Sequence, residues 1–194
     1  LLALAGAVPV QAASPHHVTI DFNDLPDLQS VGTHYAGLQF SPEWRAADCS
    51  TGHYQCVNWP PHSPPICVLT GASSTTGRID FLDFPVAQVG GWFATGGVTT
   101  AYLEAYDASG NLVASGSVST GYGENAYLSV TDPQCRIRYV VIHNGANFWT
   151  LDDFDYTACG SPPIPSMSQW GAIGMGVALA GVLAWRLRKR ATSL

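Results

Sequence analysis

Along most of this chain apolar and polar residues alternate with a period of two. Val18-Thr19-Ile20-Asp21-Phe22 is the first instance, with apolar side chains at every second position turning one face to a core and the other to water. Similar runs follow at Gly37–Phe40, Ile66–Leu69, Arg78–Phe84, Ala87–Phe93, Thr99–Tyr106, Leu112–Val118, Ala126–Val130, Arg136–His143 and Trp149–Tyr156. Stretches such as Asp107-Ala108-Ser109-Gly110-Asn111 and His143-Asn144-Gly145-Ala146-Asn147 separate them with turn-forming residues. No segment before Pro162 holds a 3.6-residue apolar period, and no internal repeat of solenoid or propeller length is present. Short strands at near-regular spacing predict an all-β domain, an antiparallel β-sandwich of jelly-roll-like build.

Two segments break this pattern. Leu1–Val10 is a run of Leu, Ala, Gly and Val that favours helix over strand. Ten residues are too few to span a bilayer but suit the apolar core of a signal peptide, and Val10-Gln11-Ala12 puts small residues at positions −3 and −1 of a cleavage site. Residues 1–12 therefore read as a signal peptide recorded from a truncated start, and 13–160 as one exported domain. After Gly160-Ser161-Pro162-Pro163, an extended stalk that continues with the following residues to 169, the second break begins. Trp170–Trp185 is apolar throughout, 16 residues or about 24 Å of helix, with an indole at each end. Leu187 extends it, which predicts a single C-terminal transmembrane helix over 170–187. Arg186, Arg188, Lys189 and Arg190 follow, and basic residues stay cytoplasmic, so 188–194 reads as an inner tail and the β domain as external.

The residues before that helix are Ile164, Pro165, Ser166, Met167, Ser168, Gln169, Trp170 and Gly171. With the helix and basic end, they resemble the IPTL-CTERM sorting signal of Gram-negative bacteria, whose motif reads Ile-Pro-Thr-Leu-x-x-Trp-Gly. Ile164, Pro165, Trp170 and Gly171 match at the right spacing, while Ser166 and Met167 replace Thr and Leu. The resemblance covers about the last 30 residues. It implies an exosortase-type membrane protease as partner, anchoring in the inner membrane before processing, and release or attachment at the cell surface. It is silent on what the β domain does.

Charge narrows that question. All fourteen Asp and Glu lie within 13–160, opposed there by only Arg45, Arg78, Arg136 and Arg138, and the single lysine is in the tail. A domain with ten excess negative charges repels nucleic acid. Five cysteines, Cys49, Cys56, Cys67, Cys135 and Cys159, also fall in this part. Outside the cytoplasm they are expected to pair, with one left over. Cys135 and Cys159 flank two strand-like runs and suit a bridge, and one pair is expected among Cys49, Cys56 and Cys67. A zinc site using these with His53 and His62 lacks the usual close cysteine spacing.

No catalytic set is legible. Gly71-Ala72-Ser73-Ser74 and Gly116-Ser117 do not form a nucleophile elbow, and no His-Glu-x-x-His is present. Glu43, Glu104 and Glu124 are glycosidase candidates in name only, so the domain is expected not to be an enzyme. In Leu151-Asp152-Asp153-Phe154, Leu151 and Phe154 cannot both point inward on a regular strand, which predicts a bulge at the paired aspartates.

Val89-Gly90-Gly91-Trp92-Phe93, the run Thr99–Leu112 and Leu151-Asp152-Asp153-Phe154 are similar to exported bacterial jelly-roll domains built like galactose- and carbohydrate-binding modules. That resemblance implies a structural Ca²⁺ between the first and last strands, with Asp21, Asp24, Asp152 and Asp153 as candidate ligands. Trp44 and Trp59, in loop-like stretches, are the candidate sugar platforms, while Trp92 and Trp149, in strands, are expected in the core. The expectation is a surface protein whose β-sandwich binds or organises extracellular material such as polysaccharide. The alternative is a carbohydrate-active enzyme of the same build.

Overall fold

The structure is a computed structural model and describes residues 15–160, apart from 53, 55, 72–74, 98 and 144–148. The signal-like segment, the motif residues Ile164, Pro165, Ser166, Met167, Trp170 and Gly171, the apolar run and the basic tail lie outside the described residues. Among the described residues no helix is long and apolar enough to cross a membrane.

The strands are β1 (His16–Ile20), β2 (Leu38–Phe40), β3 (Trp44–Asp48), β4 (Ile66–Thr70), β5 (Thr76–Phe81), β6 (Val86–Ala94), β7 (Ala101–Tyr106), β8 (Leu112–Val118), β9 (Ala126–Thr131), β10 (Tyr139–His143) and β11 (Thr150–Ala158). Each alternating run of the sequence becomes a strand. Only β3 escapes the pattern, because Trp44-Arg45-Ala46-Ala47-Asp48 buries two adjacent alanines and so hides its alternation.

All strand pairs are antiparallel and form two sheets. Sheet 1 runs β3-β4-β11-β6-β9, with β1 also on β11, and sheet 2 runs β2-β5-β10-β7-β8. Their inner faces share one core in which Phe22, Phe40, Trp44, Phe81, Phe93 and Phe154 are buried. The rings meet edge to face, Phe40 with Trp44 at 5.7 Å, Phe40 with Phe154 at 5.9 Å and Trp44 with Trp149 at 5.4 Å, as ring quadrupoles prefer. Gly77 makes room for this cluster, since a Cβ there would lie 2.4 Å from the Trp44 ring.

Two disulfides close the structure, Cys49–Cys56 and the expected Cys135–Cys159. Cys67 is the cysteine left over, a free thiol buried in β4. Burial pushes its pKa up to about 12, so it stays protonated and behaves as a small apolar residue.

Candidate functional site

The register of β11 on β6 slips after Asp152. Asp152 pairs with Trp92 and Asp155 with Gly90, so three steps along β11 face two along β6. This is the bulge that the spacing of Leu151 and Phe154 predicts, and both side chains now reach the core. Asp153 takes up the slip with φ of +43°, a conformation that costs a non-glycine residue energy.

The bulge lies where β11 changes partner. Its start meets β4 at Leu151 and its remainder meets β1 from Phe154 onward. Side chains fill the gap between those two neighbours. Asn23, just past β1, donates to the Ser63 carbonyl at 3.2 Å and accepts from the Ile66 amide at 3.1 Å. Asp152, 1% exposed, accepts from the amides of Ser63 and Asp153, both at 2.7 Å. Burial nonetheless wins over these bonds and raises its pKa to about 6. The Ser63 hydroxyl donates to Asp153 at 2.6 Å, and His62 Nδ1 lies 2.5 Å from the other Asp153 oxygen. His62 then stacks on Trp92, centroids 3.7 Å apart and planes within 5°. Because Ser63 gives its proton to a carboxylate and not to His62, the three do not form a nucleophile and base.

Beside this anchor is the outer face of sheet 1. Gln88, Gly90 and Trp92 lie on it because Val89, Gly91 and Phe93 alternate into the interior. Trp92 is half-buried there and no part of the core, contrary to expectation; its parity with Phe93 was the signal available. Tyr127 of β9, 43% exposed, stands 5.8 Å from Trp92 at 57°. Its hydroxyl crosses over Gly90, where a Cβ would lie 2.6 Å from it, and donates to Asp155 Oδ1 at 3.1 Å. Gln88 Nε2 donates to the same hydroxyl at 3.2 Å. Asp155 is buried, which raises its pKa, and the Tyr127 bond offsets part of that rise.

The outer face of sheet 2 also carries rings, but they close on one another. Tyr106 stacks on Tyr139 at 5.0 Å, Arg78 covers Tyr139 at 3.6 Å, and Tyr102 stacks on His143 at 5.3 Å. Its polar groups pair likewise, Arg78 with Asp80 and His143 with Glu104. Each outer face keeps a partly exposed ring, Tyr102 on sheet 2 and Tyr127 on sheet 1, both 43% exposed; what sets Tyr127 apart is that its hydroxyl bonds to a buried carboxylate.

The other expected site residues make contacts of their own. Trp44 is a correction: it opens β3, is wholly buried and donates through Nε1 to the Arg78 carbonyl, so no ligand reaches it. Trp59 is half-buried and packs on Gly96, where a Cβ would lie 2.4 Å from its ring nitrogen. Asp21 accepts from the Asn23 amide in a local turn. Asp24 has one oxygen on Tyr35 at 2.6 Å and the other on His34 at 2.8 Å, which hold its pKa below the usual carboxylate value. Among the described residues no group of three or more His, Cys, Asp or Glu side chains is placed to hold a metal ion.

No protein-family model and no curated protein matches this sequence. Solved structures do resemble its chain path. The K2 cleaved adhesin domain of Lys-gingipain is 13% identical, with 73% of this chain and 99% of that one covered and a TM-score of 0.48. TmCBM61, solved with β-1,4-galactotriose, is 16% identical over 69% of this chain and 98% of its own, with a TM-score of 0.43. A DUF4465 family protein from Bacteroides caccae is 11% identical over 80% and 92%, with a TM-score of 0.45.

Proposed function

We propose that this chain is an exported surface protein whose β-sandwich binds glycans on the outer face of sheet 1. One observation carries the reading: Tyr127 lies across Gly90 with its hydroxyl bonded to the buried Asp155 and to Gln88, next to the half-buried Trp92. A sugar ring has apolar C–H faces and a rim of hydroxyls. An aromatic ring held in place by a carboxylate and an amide offers a surface for the first and acceptors and donors for the second. Binding needs no nucleophile, and none is built at this face. The test is titration of the full chain, solubilised in detergent, against a panel of oligosaccharides. Saturable binding of at least one supports the reading, and binding of none refutes it.

Export is part of the same proposal. Two disulfides suit an oxidising compartment, and the terminal segments read as a signal peptide and a membrane anchor. Processing by an exosortase-type protease at Ile164–Gly171 predicts that Pro165→Ala or Trp170→Ala leaves uncleaved precursor; unchanged maturation would refute it. Calcium at Asp21, Asp24, Asp152 and Asp153 is a separate proposal. It requires those carboxylates to leave their present donors, and equal melting in Ca²⁺ and in EDTA would exclude it.

A further inference from the structure

The face assigned to glycan is acidic as well as aromatic, and no strong cation of the domain compensates it. Asp152, Asp153 and Asp155 follow one another on β11 where it pairs with β6, so three carboxylates share this region. Each of the four arginines of 13–160 is used elsewhere. Arg78 pairs with Asp80 on sheet 2, and Arg136 binds Asp132. Arg45 donates to the carbonyls of Pro42 and Trp44, and Arg138 to that of Leu82. There is no lysine in this part of the chain. Among the described residues the face has histidines to offer, His17 opposite Thr157 of β11 and His62 on Asp153.

Asp155 is the sharpest case. It is 5% exposed, and both Tyr127 and Gln88 address its Oδ1. A buried carboxylate held by neutral donors and without a full cation is costly, and an incoming positive charge would relieve that cost. Trp92 and Tyr127 stand at 57° beside it, and ring faces attract cations.

Building on the glycan reading, we propose that the ligand of this face is an amino-sugar polymer whose free ammonium groups meet Asp155 beside Tyr127 and Trp92. The same charges disfavour uronic-acid and sulfated chains, which would bring anions to an acidic face that no arginine or lysine of the domain faces.

The experiment titrates the detergent-solubilised full chain with four oligomers of equal length at roughly 150 mM salt, where long-range attraction is screened. They are β-1,4-linked glucosamine, its N-acetylated counterpart, a neutral β-1,4-glucan and a galacturonic acid oligomer. The free-amine oligomer should bind at least tenfold more tightly than the acetylated one, and the uronic acid not at all. Asp155→Asn should abolish the preference. Asp107→Asn makes the same change of charge in the exposed turn between β7 and β8 and should keep it. Equal affinity for free and acetylated amines overturns the proposal while leaving a glycan-binding domain. Loss of the preference in Asp107→Asn also overturns it, by showing that total charge is what binds. Binding of the neutral glucan alone overturns it too, while leaving a glycan-binding domain. Failure of every oligomer overturns the glycan reading itself. The wild-type comparison stands even if Asp155→Asn does not fold.

Discussion

Replacing Asp152 with Asn tests how the bulge of β11 is held together. The side chain is 1% exposed and accepts from two backbone amides, yet burial raises its pKa from 3.8 to about 6. The native state therefore holds a proton on this group more tightly than the unfolded chain does. Its stabilising effect is complete below the unfolded value near pH 4 and is lost as the pH rises through about 6. At about 1.4 kcal/mol per unit the loss amounts to roughly 3 kcal/mol. Asn cannot titrate, so the stability of the wild type minus that of Asp152→Asn should fall by up to about 3 kcal/mol between pH 4 and pH 7. Asp155, also raised, and Asp132, held down to about 2 by Arg136, are common to both proteins and cancel in the difference. For a domain of this size each kcal/mol moves Tm by about 2–4 °C, so melting curves at the two pH values should converge or cross by several degrees. Two proteins with parallel pH profiles would refute the reasoning, because Asp152 would then carry no conformational linkage.

Three further outcomes follow from the core and the cysteines. Gly77→Ala should destabilise by about 1–3 kcal/mol in denaturant unfolding, since its Cβ would lie 2.4 Å from a fully buried Trp44 that has no space to retreat; a neutral effect would mean the pocket yields. Replacing Cys135 and Cys159 with Ser should cost about 3–4 kcal/mol, the loop-closure entropy of a bridge spanning 24 residues, measured in the same way. Cys67 should resist alkylation by maleimide in the folded protein and label fully in denaturant, whereas rapid labelling under native conditions would contradict its burial.

The sequence makes the strands legible because each sheet buries one face, and burial of one face writes a period of two into the residues. It also exposes the bulge, since Leu151 and Phe154 are three apart and both need the core. Trp92 is legible on the same ground, as parity with Val89 and Phe93 turns it outward, but a tryptophan in a strand reads as core when parity is ignored. Trp44 is different. Ser41-Pro42-Glu43 before it look like a loop, and the pocket that buries it is made by Gly77, in a different sheet. The contact of His62 with Asp153 spans 91 positions and exists only because β1 and β4 share one edge of β11. No local pattern encodes that sharing. The same holds for Asp155 under Tyr127, which depends on strand order and on the missing side chain of Gly90.

The claim that sheet 1 carries the ligand is tested most directly by calorimetric titration of the tightest oligosaccharide into Tyr127→Ala and Tyr106→Ala. Both remove one tyrosine from an outer face, the first beside Trp92 and the second from the closed stack with Tyr139. Tyr127→Ala should lose at least tenfold in affinity, about 1.4 kcal/mol or more, while Tyr106→Ala binds as the wild type does. Undiminished binding by Tyr127→Ala, or a loss confined to Tyr106→Ala, would contradict the assignment and move the site to the opposite sheet.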